Sequence, residues 1–336
     1  MDNLESIPPH FRNQLSHHQQ PSPAPEDGGN PTKYLESLPI IDLENLNNDK
    51  NEVEEACQNW GLFRLVNHGI PSSLLRQLHE QTKQVFSLSY ESKQASCDGS
   101  HVNYFCGSTA LTPSGTTIPN ERHNTNFFEG FGIPSDQLFK FHPQIPILES
   151  FRVLLVEYEK HMSRIATTLF EGMIKNLELE MEESKYKLED KTGLFRVYRY
   201  LHCSDPDGGL GLAVHTDSSV LTILNQEDEV SGLEVLRDHQ WLTVKPISNT
   251  LIVNIGDLMQ AISDDKYKSA LHRVKVDKHK DRVSTAYFIY SGEGVTIKSS
   301  NYIPFTANQF LAQVEQDIKT IGHKIGLSRF KRNEDN

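Results

Sequence analysis

His215-Thr216-Asp217, then His272, then Arg282-Val283-Ser284 are the residues whose types and spacing could do chemistry. Two imidazoles and a carboxylate can cap one face of an octahedral metal and leave the opposite face open. That suits a non-haem Fe(II) that binds a co-substrate and O2 together. Arg282, ten residues beyond His272, offers a planar cationic fork for a dicarboxylic acid. Ser284 shares its strand face at i+2 and adds a hydroxyl. The set points to an oxygenase that consumes 2-oxoglutarate.

His-x-Asp is a short pattern, and it recurs at His279-Lys280-Asp281. The settings differ. His279 lies in a charged stretch, 275–282, which reads as a solvated turn. His215 lies between Leu210-Gly211-Leu212-Ala213-Val214 and Val220-Leu221-Thr222-Ile223-Leu224, two strand-like runs. On a strand, His215 and Asp217 aim to one side. A closed zinc site would want a fourth, often sulfur, ligand. Cys203 is the nearest in sequence, so a Cys-His-Asp-His site stays open as an alternative. Tyr200 is a candidate hydroxyl donor to the co-substrate, with a core tyrosine as the plainer reading. Asn254, at the end of a strand before Gly256-Asp257, is a candidate to orient a ligand from behind.

The elements that must position these groups follow from hydrophobic period. Residues 1–37 read as a Pro-rich tail, with Pro21-Ser22-Pro23-Ala24-Pro25 and a polar His17-His18 pair, and little packing is expected before Tyr34. Residues 38–188 read as a mixed α/β region. It holds strands at 38–43 and 61–66, a helix after Pro71, and a long helix from about Pro146 to Leu188. Phe151, Leu154, Leu155, Tyr158, Met162, Ile165 and Leu169 form its apolar stripe. Residues 189–300 carry about eight short strands, which suggests a sandwich or jelly roll. Residues 301–336 read as a last helix and a tail, with Phe310, Leu311, Val314, Ile318, Ile321 and Ile325 on one side. The fold class is mainly β with flanking helices.

Composition narrows the partners. The 336 residues carry 33 basic and 45 acidic side chains, a net charge of −12, which argues against a nucleic-acid binder. No run of apolar residues is long enough to span a membrane, and Met1-Asp2-Asn3-Leu4-Glu5 does not resemble a signal peptide. Four scattered cysteines suggest reduced thiols and a cytoplasmic location. No protein partner is indicated. Tyr104, Phe105, Phe127, Phe128 and Phe288 are candidate substrate contacts, because apolar linings are normal for small-molecule pockets, and ordinary hydrophobic core is the equal alternative for the aromatic segments around 104 and 127. Residues 109–115 read as a loop between the two aromatic segments, and Arg122 and Lys140 as solvated surface cations, with a substrate carboxylate as their alternative partner.

From about residue 38 to 326 the chain resembles the plant 2-oxoglutarate- and Fe(II)-dependent dioxygenases. The resemblance rests on ordered pieces: Leu38-Pro39-Ile40-Ile41-Asp42-Leu43, Trp60-Gly61-Leu62-Phe63, Asn67-His68-Gly69-Ile70-Pro71 and Gly211-Leu212-Ala213-Val214-His215-Thr216-Asp217. It continues through Leu251-Ile252-Val253-Asn254-Ile255-Gly256-Asp257, Leu271-His272-Arg273-Val274 and Arg282-Val283-Ser284. The resemblance implies a distorted double-stranded β-helix (jelly roll). It implies iron held by His215, Asp217 and His272, and the distal carboxylate of 2-oxoglutarate held by Arg282 and Ser284, with Tyr200 at a further co-substrate position. O2 is then the oxidant and ascorbate a supporting reductant. 2-Oxoglutarate becomes succinate and CO2 as the substrate is hydroxylated. Tyr198 stands where the family often has asparagine. The stretch Phe127-Phe128-Glu129-Gly130-Phe131 is similar to segments of gibberellin oxidases, which suggests 2-oxidation of gibberellin, inactivating the hormone. An auxin, a flavonoid or another specialised metabolite is the alternative substrate. A jelly roll that holds a small acid without catalysis is the alternative of another class.

Overall fold

The computed structural model describes residues 4–12, 38–46, 50–98, 100–107, 109–111, 117–119, 126–178, 188, 193–203, 209–226 and 229–332. Its strands are β1 (Ile40–Asp42), β2 (Leu62–Val66), β3 (Asn103–Cys106), β4 (Thr109–Leu111), β5 (Thr117–Pro119), β6 (Phe128–Pro134), β7 (Leu194–Tyr200) and β8 (Leu210–His215). They continue with β9 (Leu221–Gln226), β10 (Leu233–Arg237), β11 (Gln240–Thr243), β12 (Leu251–Ile255), β13 (His272–Lys275), β14 (Arg282–Ile289), β15 (Thr296–Ile297) and β16 (Phe305–Thr306). The helices are α1 (Lys50–Glu55), α2 (Ser72–Phe86), α3 (Tyr90–Ala95), α4 (Pro146–Asn176), α5 (Asp257–Ile262) and α6 (Ala307–Ile321).

An eight-stranded sheet in the order β1-β2-β12-β9-β14-β7-β6-β3 faces a four-stranded sheet, β11-β10-β13-β8. This is the jelly roll that the strand pattern suggested, with helices on its flank.

Strand alternation divides the large sheet into two jobs. On β7, Phe195 and Val197 join the main core while Arg196, Tyr198 and Tyr200 face the space between the sheets. On β14, Val283, Tyr287 and Ile289 face the core and Arg282, Ser284, Ala286 and Phe288 face inward. β9 repeats the pattern, with Leu221 and Ile223 outward and Thr222 and Leu224 inward. The core face is covered by α4, whose Phe151, Leu155, Tyr158, Met162, Ile165 and Leu169 are buried at spacings of three and four. A bulky helix thus backs the sheet and fixes the strands that carry the site.

Two expectations need correction. The long helix ends at Asn176, twelve residues early. Leu177 turns back into the core and Glu178 adopts φ 53°, a left-handed conformation that stops an α-helix. The expectation of little packing before Tyr34 also fails at residues 4–12. Ile7 and Phe11 are buried against Leu201 and Phe127, and the Ser6 carbonyl accepts from Lys93 Nζ at 2.6 Å. The Pro-rich run and His17-His18 lie outside the described residues.

Leu155 is fully buried where α4 meets the large sheet. Leu155→Ala is expected to destabilise the fold by about 2–5 kcal/mol, read from the midpoint of denaturant unfolding. A loss under about 0.5 kcal/mol, the range of surface substitutions, would mean that α4 does not brace the sheet.

Candidate active site

His215 ends β8 and His272 opens β13, and the two are direct partners in the ladder between those strands. Pairing brings their rings to 4.2 Å between centroids. Asp217 lies just past the end of β8 rather than on it, and the chain turn there carries its carboxylate back beneath both rings. Asp217 Oδ1 is 3.8 Å from His215 Nε2 and 3.7 Å from His272 Nε2. One ligand atom from each of the three lies within 4.8 Å of the others, and among the described residues this is the group placed to hold a metal. One ion at about 2.1 Å from each atom fits those separations. Cys203 is elsewhere, its amide bonded to the Asp277 carbonyl, so no thiolate joins the group.

The imidazoles are set for ligation through Nε2. His215 Nδ1 lies 2.7 Å from the Ala213 carbonyl, and His272 Nδ1 lies 3.0 Å from the Ala270 carbonyl. Each Nδ1–H donates to its carbonyl, which leaves Nε2 with its lone pair free for an ion. Burial and the neighbouring His272 push His215 down to about 3, so it is neutral at pH 7. Burial favours the protonated form of Asp217, but the two histidines, Thr222 and Asn254 outweigh it and hold the carboxyl below its usual range. Asn254 Nδ2 donates to Asp217 Oδ2 at 3.1 Å, which turns Oδ1 toward the imidazoles. The Asp257 amide donates to the Asp217 carbonyl at 2.8 Å. Gly256 precedes that amide because a Cβ there would lie 2.0 Å from the Ser219 carbonyl.

A cavity of about 710 Å³ opens between the sheets and includes all three groups. Arg282 is 1% exposed at one end of it. Its Nη2 donates to Gln226 Oε1 at 3.2 Å, and its guanidinium carbon lies 5.0 Å from the centre of the Tyr200 ring. Register puts Tyr200 opposite Arg282 and Tyr198 opposite Ser284. Arg282, Ser284 and Tyr200 therefore meet on one wall. A buried guanidinium flanked by two hydroxyls has the donor set for a carboxylate.

The segment after α6 lies against the cavity. Lys324 donates to the Thr216 carbonyl at 2.9 Å and pairs with Asp257 at 2.6 Å. Its bond falls between the two ligands of the His215–Asp217 turn.

The aromatic assignments fare differently. Phe288 lines the cavity. Tyr104, Phe105, Phe127 and Phe128 do not. Phe105 and Phe128 pack behind Tyr198, and Phe127 packs on Phe11. The Tyr104 hydroxyl donates to Glu129. The reason is covering by neighbours: Phe105 on β3 and Phe128 on β6 are buried together with Tyr198 and Val274, and Phe127, just ahead of β6, is half-covered by Ile7 and Phe11. Lys140 is exposed beside Asp136, away from the cavity. Arg122 and residues 112–115 lie outside the described residues, while 109–111 pair with β5.

Charge patterning hid other residues. Asp281, in a stretch that reads as a solvated turn, accepts from Arg199 Nε at 2.7 Å and from the His202 amide at 2.9 Å. Burial opposes its ionised form, yet His202 and Arg199 hold it at about 2. Arg199 also reaches Glu129 at 3.1 Å, which pairs with the buried Lys93 at 2.6 Å. This charged chain fastens the start of β14 behind Arg282. Arg196 was visible in principle, because it shares the i, i+2, i+4 face of Tyr198 and Tyr200.

Fold and site together define a jelly-roll oxygenase built for Fe(II) and a dicarboxylic co-substrate. Residues 191–291 match the 2OG-Fe(II) oxygenase superfamily, and residues 38–137 match the N-terminal region described as non-haem dioxygenase in morphine synthesis. Gibberellin 2-beta-dioxygenase 5 of Oryza sativa subsp. japonica is 33% identical over 88% of this chain and 87% of its own. Flavonol synthase 1 of Crocosmia x crocosmiiflora is 32% identical over 85% of this chain and 83% of its own. Among solved structures, JOX2 in complex with 2OG, Fe and JA superposes with a TM-score of 0.74 at 27% identity, over 88% of this chain and 89% of that one. The chain belongs to the 2OG-Fe(II) oxygenase superfamily and is a plant-type dioxygenase that uses Fe(II) and 2-oxoglutarate.

His215→Ala is expected to abolish tight Fe(II) binding with the fold intact. Asn254→Ala is expected to weaken it by about 10–100-fold, the usual effect of removing an outer partner. Anaerobic metal titration checks both, and undiminished affinity in the first variant would move the metal elsewhere.

Proposed function

We propose that this chain oxidises a gibberellin at its 2-position, inactivating the hormone, and gives succinate and CO2 from 2-oxoglutarate. His215, Asp217 and His272 hold the Fe(II), and Arg282 and Ser284 with Tyr200 hold the far carboxylate of 2-oxoglutarate. The observation that carries the chemistry is the His-Asp-His face and the buried Arg282 in one cavity. The substrate rests on similarity to gibberellin 2-beta-dioxygenase along most of the chain.

The residues divide the labour. The two Nδ1–carbonyl bonds and Asn254 fix the ligand orientations before any ion arrives, so little is spent on reorganisation. Arg282 binds its carboxylate through a planar fork, which sets direction as well as charge. Phe288, Leu224 and Leu212 line the cavity with hydrocarbon and keep water from the reacting atoms. Bound Fe(II) supplies the oxidative chemistry that couples decarboxylation of 2-oxoglutarate to hydroxylation of a C–H bond. The complete ligand set and the family membership argue against a jelly roll that only holds a small acid. Similarity to flavonol synthase supports a second substrate reading, a flavonoid. A cytosolic setting, with ascorbate as reductant, accords with four cysteines outside any disulfide. No helix among the described residues is long and apolar enough to cross a membrane.

The test is succinate release by the Fe(II)-reconstituted protein against gibberellins, indole-3-acetic acid and flavonoids. Gibberellin-dependent succinate with a 2-hydroxylated product supports the reading, and turnover of another panel member alone sinks it. Arg282→Lys is expected to raise the 2-oxoglutarate KM by about tenfold or more, since a charged hydrogen bond is worth about 1.5–3 kcal/mol. An unchanged KM would place the carboxylate away from Arg282.

A further inference from the structure

The cavity holds a second buried guanidinium. Arg196 is 9% exposed and points inward from β7. Its guanidinium carbon lies 5.1 Å from the centre of the Phe288 ring, and its head is within hydrogen-bond reach of the Tyr198 hydroxyl. Ala286 is its partner across the ladder, whereas Arg282 is opposite Tyr200. Arg196 thus stands four residues along the strand from the Arg282 row, about 13 Å at ~3.3 Å per residue. The two cations serve different ends of one cavity.

Part of the cavity's lining is apolar and exposed, beside polar groups such as Ser218, His323 and Lys324. Val214, Leu271 and Ile325 line the cavity and stay 46%, 42% and 36% exposed. Of the carboxylates that line the cavity, Asp217 faces the two imidazoles and also acts on Arg196 through its charge, and Asp257 pairs with Lys324. A planar cation inside a hydrocarbon mouth selects a ligand that is itself divided, with one anionic head and an apolar body.

We propose that Arg196 is the specificity-determining residue for an apolar carboxylic acid substrate. The carboxylate sits on the Arg196 fork beside Tyr198, and the hydrocarbon body rests against Phe288 and the rim formed by Val214, Leu271 and Ile325. The proposal rests on the hydroxylase reading above and narrows its substrate to an acid, which sets a flavonoid aside. It does not require that acid to be a gibberellin.

The experiment is calorimetric titration of the anaerobic Fe(II)–2-oxoglutarate protein. The probes are gibberellic acid, indole-3-acetic acid and jasmonic acid, each with its methyl ester, and naringenin as an uncharged flavonoid. At least one acid is expected to bind about tenfold or more tightly than its ester. Arg196→Gln is expected to bring that acid down to the affinity of the ester and leave the ester unchanged. Arg196→Lys keeps the charge without the fork and is expected to fall between, which decides the matter if the glutamine variant fails to fold. Equal binding of acid and ester overturns the proposal. So does an equal loss of both in either variant, or binding of naringenin alone, or of no acid at all. Discrimination shown only by another acid keeps this proposal and removes gibberellin. Gibberellic acid that binds as tightly as its ester, with no other acid told from its ester, removes this proposal and leaves the gibberellin reading standing.

Discussion

The carboxylate of Asp217, buried between two imidazoles, is the constraint on which the rest depends. A carboxylate 4% exposed is costly unless cations and donors surround it. Asn254 and Thr222 supply donors, and the imidazole pair faces the remaining oxygen. The set has the donor atoms to hold a divalent ion. The ladder pairing of His215 with His272 exists to serve this group, and so does the turn that follows β8. The approach of Ser219 to Gly256 locks the same turn from below.

Around that centre, the large sheet works by separating its faces. One set of side chains packs on α4 and supplies stability. The alternate set, from the same strands, lines a cavity with arginines, tyrosines and hydroxyls. Polar groups in such a position would destabilise an ordinary core. Here they are tolerated because the opposite face of each strand is fully engaged. The charged chain from the buried Lys93 and Glu129 through the half-buried Arg199 to Asp281 carries the same economy further out, fixing the entry to β14 by charge rather than by packing.

Much of this was legible in the sequence, and the limits have physical causes. The metal group and Arg282 showed because their residue types are rare in that combination and their spacing is strand-bound. The strands from 194 to 297 showed because turn residues separate apolar runs, β11 excepted, whose Gln240-Trp241-Leu242-Thr243 is too short and mixed to stand out. For Tyr104, Phe105, Phe127 and Phe128 the sequence leaves core and pocket equally open, because both kinds of segment are aromatic and only covering by a neighbour tells them apart. Asp281 was hidden because its partner Arg199 is distant in the chain. The end of α4 was missed because Leu177 continues the apolar pattern while the backbone turns at Glu178. Ile7 and Phe11 were missed because a short apolar pair has no period to read.

The contact from Lys324 to the Thr216 carbonyl joins residues 108 positions apart in the chain. Synthesis runs from the N-terminus, at about 5–20 residues per second. The turn that carries both His215 and Asp217 therefore emerges several seconds before the residue that braces it. During that interval His272 and Arg282 also arrive, but the wall over them is still missing. A nascent chain can in this way bring His215, Asp217 and His272 together on paired strands while the pocket stands open to solvent, before the segment that braces and encloses them has been made.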